Sequence, residues 1–235
     1  MSPVTADSRV SDLVLEQPTR ARVFEQFGID YCCGGQTPLE VACADKGIDL
    51  GAVITALEEP LPAEPEDVDW MEVSVSDLVD HIIDHHHAYL RAELPPLRAL
   101  VDKVATVHGE RHPELRDVQQ AFHLTADELE QHMVKEERIL FPACVALEQG
   151  AGGGFPFGSV ASPIAMMMHE HDEVAAGLAG MRAATGGFAP PSDACNSYRA
   201  MLERLSVLEQ DTHRHVHEEN NVLFPRALAL EGQDV

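Results

Sequence analysis

Apolar residues recur at helical spacing along most of the chain. In the first long stripe Ile83, Leu90, Leu94 and Val101 stand at −4, +3, +7 and +14 from His87, in a helix that opens at Ser74 or Ser76. This period gives a helix one face for a shared core. A second stripe of Val118, Phe122, Leu129 and Ile139 predicts a helix from after His112-Pro113 to about Leu147. A third, with Met167, Met168, Val174 and Leu178, opens at Ser162-Pro163, an N-cap followed by proline at N1. The fourth carries Leu205, Leu208, Thr212 and Val222 and opens near Ser192, after Pro190-Pro191. Gly150 to Gly154 forms a glycine-rich break, and Pro95-Pro96 should kink the first helix or break it in two. Ahead of these, shorter amphipathic helices are expected over residues 8–16, 19–27, 37–46 and 49–58, followed by a Pro- and Glu-rich stretch from Glu58 to Asp67. The pattern divides the chain into a small helical unit (1–60), a linker (61–70) and a four-helix bundle (71–235). Alternating strand patterns are scarce and aromatics make up 5%, so the fold class is all-α.

The stripes carry a repeated chemistry. His132, Glu136 and Leu140-Phe141-Pro142 recur as His215, Glu219 and Leu223-Phe224-Pro225. A histidine and a glutamate four residues apart leave a helix on the same side, so each copy offers nitrogen and oxygen to one spot. His87 lies 45 residues before His132, and His171 lies 44 before His215, so the duplication extends over each helix pair. At a rise of about 1.5 Å per residue, antiparallel packing brings the four histidines to one level. Four inward-facing helices are a known way to build a di-metal carboxylate site. The candidate ligands are His87, His132, His171 and His215, with Glu136 and Glu219 as bridges.

The remaining histidines lack such a partner in phase. His108 would lie about 31 Å from His87 on a continuous helix and reads as a surface histidine near the turn. Most others are read as solvated, with His85, His86 and His217 lining the approach to the site. Five cysteines in a chain read as cytoplasmic point to buried apolar residues, ligands or redox thiols. Cys43, Cys144 and Cys195 fit buried structural positions. Cys32 and Cys33 stand apart, in a loop between Gly28, a helix C′ glycine, and Thr37-Pro38-Leu39-Glu40, a capping box. Nearness to a helix N-terminus would lower a thiol pKa, while a buried tight turn is the alternative.

Charge narrows the partners. The formal net charge is −24, which repels nucleic acid and anionic membranes in the absence of a basic patch. The N-terminal residues lack the features of a signal peptide and no apolar run reaches membrane-spanning length, so a cytoplasmic protein is expected.

Asp30-Tyr31-Cys32-Cys33-Gly34-Gly35, then a linker, then a bundle with His132-x-x-x-Glu136 and His215-x-x-x-Glu219-Asn220-Asn221-Val222-Leu223-Phe224-Pro225 resembles the iron-sulfur cluster repair di-iron proteins (repair of iron centres). The C-terminal part is similar to the hemerythrin-like four-helix bundle and the first part to the small Cys-Cys domain that precedes it. The resemblance implies two non-haem iron ions with an oxo or hydroxo bridge, on the six residues named above. It implies repair of iron-sulfur clusters damaged by oxidative or nitrosative stress, with damaged iron-sulfur proteins as partners and iron as what is supplied. Cys32 and Cys33 would then serve iron transfer or redox. Nitric oxide reduction at the di-iron site, or O2 and nitric oxide binding as a sensor, are the alternative readings. Position 175 is Ala, where an oxygen-carrying hemerythrin would place a fifth histidine, so dedicated oxygen carriage does not fit.

Overall fold

The structure is a computed structural model that describes residues 3–62, 68–150 and 154–233. Much of the expected linker and of the glycine-rich break, residues 63–67 and 151–153, falls outside the described residues. Helices α1 (Val10–Glu16), α2 (Ala21–Phe27), α3 (Leu39–Lys46) and α4 (Leu50–Glu58) come first. They close around a cluster that includes Val10, Phe24, Tyr31, Leu39, Val53 and Leu57. Gly28 and Gly47 end α2 and α3 in the left-handed conformation, which glycine adopts without a Cβ penalty.

Four rods follow. Helix α5 (Val75–His81) runs through a π-turn (Ile82–His87) into α6 (Ala88–His108). Helix α7 (Glu114–Lys135) runs through a π-turn (Glu136–Leu140) into α8 (Phe141–Glu148). Helix α9 (Ala161–Ala184) is unbroken, and α10 (Asn196–Glu218) passes through a π-turn (Glu219–Leu223) into α11 (Phe224–Gln233). Ser74 caps α5 by accepting a hydrogen bond from the Asp77 amide, satisfying one orphan donor. Pro95 and Pro96 sit inside α6 on its exposed side, and the helix continues through them.

Several boundaries differ from the expectation. Helix α9 opens two residues early, with Val160 at the N-cap, because Glu231 accepts from the Val160 amide and Ser159 from the Ala161 amide. Helix α10 opens at Asn196, four residues after Ser192. Thr37 does not cap α3; the amides of Leu39 and Glu40 donate to the carbonyls of Ser8 and Ala6.

Two apolar clusters fill the bundle. One joins α6, α7, α9 and α10 through residues such as Leu97, Phe122, Leu178 and Leu205. The other joins α5, α8, α11 and the start of α9 through Ile82, Phe141, Ile164 and Phe224. The sequence between them, near residues 86–87, 132–136, 171 and 215–219, forms a polar layer sealed above and below. Among the described residues no helix is long and apolar enough to cross a membrane.

A Cβ on Gly35 would come within 2.6 Å of the Tyr31 carbonyl oxygen and of the Ser11 side chain. Gly35→Ala is therefore expected to cost about 1–3 kcal/mol through overpacking. Thermal unfolding measures it; an unchanged Tm would show that α1 and the cysteine loop are not packed this closely.

Candidate metal centre

Each candidate ligand is held by a rod, and the π-turns decide which way it points. Proline lacks an N–H and its ring crowds the carbonyl four residues back. Pro142 and Pro225 therefore favour the wide turns that start at Glu136 and Glu219. The third π-turn ends at His87. Such turns are frequent at functional sites because they rotate side chains away from the regular helical register.

The structure brings all six residues together in the sealed layer. Two donor quartets form, His87, Glu136, His215 and Glu219, and His132, Glu136, His171 and Glu219, each with its donor atoms within 4.8 Å of one another. Both glutamates belong to both quartets, and each quartet takes one histidine from each half of the repeat. All six residues are buried, with exposures between 0% and 2%. The phenyl ring of each Leu-Phe-Pro run backs a histidine: Phe141 stacks on His87 with centroids 5.7 Å apart, and Phe224 on His171 at 6.1 Å.

Hydrogen bonds at the outer nitrogens fix three of the four rings. His87 Nδ1 lies 2.7 Å from Glu137 Oε1, His132 Nδ1 2.8 Å from Glu170 Oε2, and His171 Nδ1 2.9 Å from Asn220 Oδ1. Each partner is an acceptor, so each Nδ1 donates and each neutral ring keeps its Nε2 lone pair for the interior. His132 Nε2 and His171 Nε2 then face each other at 2.9 Å, and two facing lone pairs require positive charge close to both. Glu136 Oε1 and Oε2, Glu219 Oε2 and His87 Nε2 are buried without a hydrogen-bond partner. Glu136 and Glu219 face the four histidine Nε2 atoms at 3.0 to 3.4 Å, and buried carboxylates that meet nitrogen lone pairs are costly without positive charge between them, so the layer fits a cation. Sequence reasoning missed Glu137, Glu170 and Asn220; the signal was their position directly beside Glu136, His171 and Glu219.

Protons supply the charge when no metal does. Burial disfavours the charged His132 ring, but Glu136 and Glu219 outweigh it and take its pKa up to about 9. His87 is raised in the same way, burial again being overcome by Glu136. Burial pulls Glu219 upward, yet His215 and His171 hold it well below the usual carboxylate range. Burial lowers His215, whose Nδ1 has no partner.

Other expectations are corrected here. His108 is buried, not a surface residue, with Nε2 3.2 Å from Cys195 Sγ at the far end of the bundle. Cys195 itself is exposed at the N-cap of α10, whereas Cys43 and Cys144 are buried. His86 and His217, though buried, line one cavity with His85, in keeping with their expected place on the approach. Cys32 is buried and Cys33 half-buried. The Asp30 carboxylate accepts the amides of Cys32, Cys33 and Gly34 at 2.9, 3.0 and 2.9 Å and the Cys32 thiol at 3.2 Å. The hydrogen bond between Cys32 and Cys33, burial and Asp30 all push the Cys32 thiol well up, the reverse of a thiol activated by a helix terminus. The loop docks on the bundle beside the centre: Asn221 donates to the Cys32 carbonyl at 3.0 Å, and His217 Nδ1 meets the Tyr31 carbonyl at 3.1 Å.

With this geometry in view, two family matches cover most of the chain. The hemerythrin HHE cation binding domain matches residues 78–227 and the ScdA_N domain, a domain of unknown function (DUF542), residues 6–61. The iron-sulfur cluster repair protein YtfE of Enterobacter sp. (strain 638) is 37% identical over 96% of this chain and 98% of the relative. A probable iron-sulfur cluster repair protein of Haemophilus influenzae is 35% identical over 95% and 97%, and YtfE of Escherichia coli O157:H7 36% over 96% and 98%. The chain belongs to the iron-sulfur cluster repair family. Its bundle matches the cation binding domain, and the donor layer lies within the matched residues.

Metal must displace the proton that His132 carries below about 9, so metal affinity should rise with pH up to that point and fall as pH drops. Chelator competition across the neutral and mildly alkaline range measures this, and a flat profile would contradict it. Glu170→Gln and Asn220→Ala should each weaken metal binding roughly 10- to 100-fold with the fold intact, read by the same competition and by circular dichroism. In alkylation with iodoacetamide followed by mass spectrometry, Cys195 should react first and Cys32 only in alkaline solution; rapid Cys32 labelling at neutral pH would refute the Asp30 clamp.

Proposed function

We propose that this protein repairs damaged iron-sulfur clusters by supplying iron from a di-iron centre held by His87, His132, His171, His215, Glu136 and Glu219. The observation that carries this reading is the sharing of Glu136 and Glu219, fully buried, by both donor quartets. The relatives matched along almost the whole chain carry the printed name iron-sulfur cluster repair protein, which supports the same role for this chain.

Imidazole and carboxylate donors together suit iron, and two non-haem iron ions held by these six residues would supply iron for transfer and open positions for diatomic ligands. The chain's own residues supply the rest. Leu140, Phe141, Leu223 and Phe224 exclude water from one side. Glu137, Glu170 and Asn220 aim the rings. Without a cation in the layer, the raised pKa values of His132 and His87 favour protons there, so the two glutamates keep compensating charge.

In this reading residues 1–60 form a thiol unit, 61–70 a linker and 71–235 the bundle. Cys32 and Cys33 are soft ligands placed to receive iron beside the centre. The Asp30 clamp keeps Cys32 protonated at rest, so iron uptake by that thiol requires the proton to leave.

Glu136→Ala and Glu219→Ala should lose bound iron and, with it, restoration of activity to a damaged iron-sulfur enzyme. A variant that keeps both irons and full repair activity would sink the assignment. Cys32→Ser with Cys33→Ser should keep the iron of the bundle while repair drops at least about tenfold; unchanged repair would remove the thiols from the pathway.

A further inference from the structure

The two halves of the repeat differ beside the centre. In the second half the residue before His171 is Glu170, which reaches His132 Nδ1 and pairs with Lys135, the residue before Glu136. The equivalent positions in the first half and at the second motif are His86, before His87, and Glu218, before Glu219. A carboxylate and an ammonium on one side are thus replaced by an imidazole and a carboxylate on the other. The lysine brings its own positive charge. His86 and Glu218 bring donor atoms.

His81, one turn back along the same rod, completes the set. Its Nε2 and that of His86 each lie 3.5 Å from Glu218 Oε2, and the three donor atoms fall within 4.8 Å of one another. His86 is 6% exposed and Glu218 7%. Even so, His86 Nε2 and Glu218 Oε2 have no hydrogen-bond partner. Asp211 Oδ1 lies 3.0 Å from His86 Nδ1 and accepts its proton, which turns Nε2 toward Glu218. This is the same carboxylate-to-histidine device that Glu137 and Glu170 apply to His87 and His132. The cluster sits in the wall of a cavity of about 450 Å³ that Trp70 and Tyr31 also line. From there the His86 ring stacks parallel on His215, with centroids 5.2 Å apart.

We propose that His81, His86 and Glu218 form a mononuclear site for a divalent cation, separate from the six-residue centre. Two imidazoles and one carboxylate leave positions open and select a borderline cation such as Fe2+, Co2+ or Zn2+ over Mg2+ or Ca2+. On the reading that the protein supplies iron, this site is the station between the cavity and the centre, because its three residues line the cavity while His86 stacks on His215 of the centre.

Trp70 makes the site measurable. It is the single tryptophan of the chain, and its ring centroid lies 4.1 Å from that of His81. Protein whose six-residue centre is filled, as counted by metal analysis, is titrated with Co2+ under equilibrium dialysis, with tryptophan fluorescence read in parallel. The expected result is one further Co2+ per chain and quenching of Trp70 that saturates at that equivalent. His81→Ala should bind this Co2+ at least about tenfold more weakly and keep the metal of the centre. Glu218→Gln, which preserves side-chain shape, should do the same. Wild-type protein that takes up no further Co2+, or a His81→Ala protein that binds it as wild type does, overturns the proposal. If the starting protein cannot hold metal in the six-residue centre, the proposed function fails, while a single Co2+ lost with His81→Ala still supports this site.

Discussion

Glu136 and Glu219 lie in one layer of the bundle with no solvent exposure, and like charges buried side by side cost several kcal/mol unless positive charge is supplied. The surrounding chemistry answers that demand. Four histidines converge on the pair, and three of them are oriented from outside by an acceptor. The layer divides the bundle's apolar interior into two clusters. A fold optimised only for burial would have joined them. The interruption is tolerable because a cation, or protons in its place, compensates the carboxylates.

The backbone is adapted to the same demand. The three π-turns among the described residues begin or end at a candidate ligand, and two of them precede a Leu-Phe-Pro run. In those runs proline widens the turn, while phenylalanine stacks on a histidine of the same half of the repeat. One short motif therefore aims the glutamate and supports a ring that its partner helix delivers. The repeated geometry of the two halves places one histidine of each in each quartet, so neither half completes a quartet alone.

The N-terminal helices join this arrangement through consecutive residues. Glu219 belongs to both quartets, Asn220 orients His171, and Asn221 holds the Cys32 carbonyl. A shift of the cysteine loop is thereby mechanically close to a ligand. Asp30 tightens that loop with three amide hydrogen bonds and holds the Cys32 proton, which makes Cys32 a buried, guarded thiol instead of a freely reactive one.

Much of this was legible from residue order. Helical periodicity located the rods because burial of one face leaves a repeating apolar stripe. The repeated His-x-x-x-Glu spacing singled out four of the converging residues because four residues make roughly one turn, and the matching 45- and 44-residue offsets added His87 and His171. Other features arise only from contacts between segments distant in sequence. Which histidine joins which quartet depends on how the rods pack. His108 is buried because Tyr198 and Cys195 cover it from α10, and no local pattern announces such a cover. Glu170 and Asn220 look like ordinary polar neighbours until the fold brings His132 and His171 within hydrogen-bond reach. The sequence determined which side chains share a helix face, through the fixed period of the backbone; only the tertiary structure decided their partners, since those pairings depend on side chains meeting across helices.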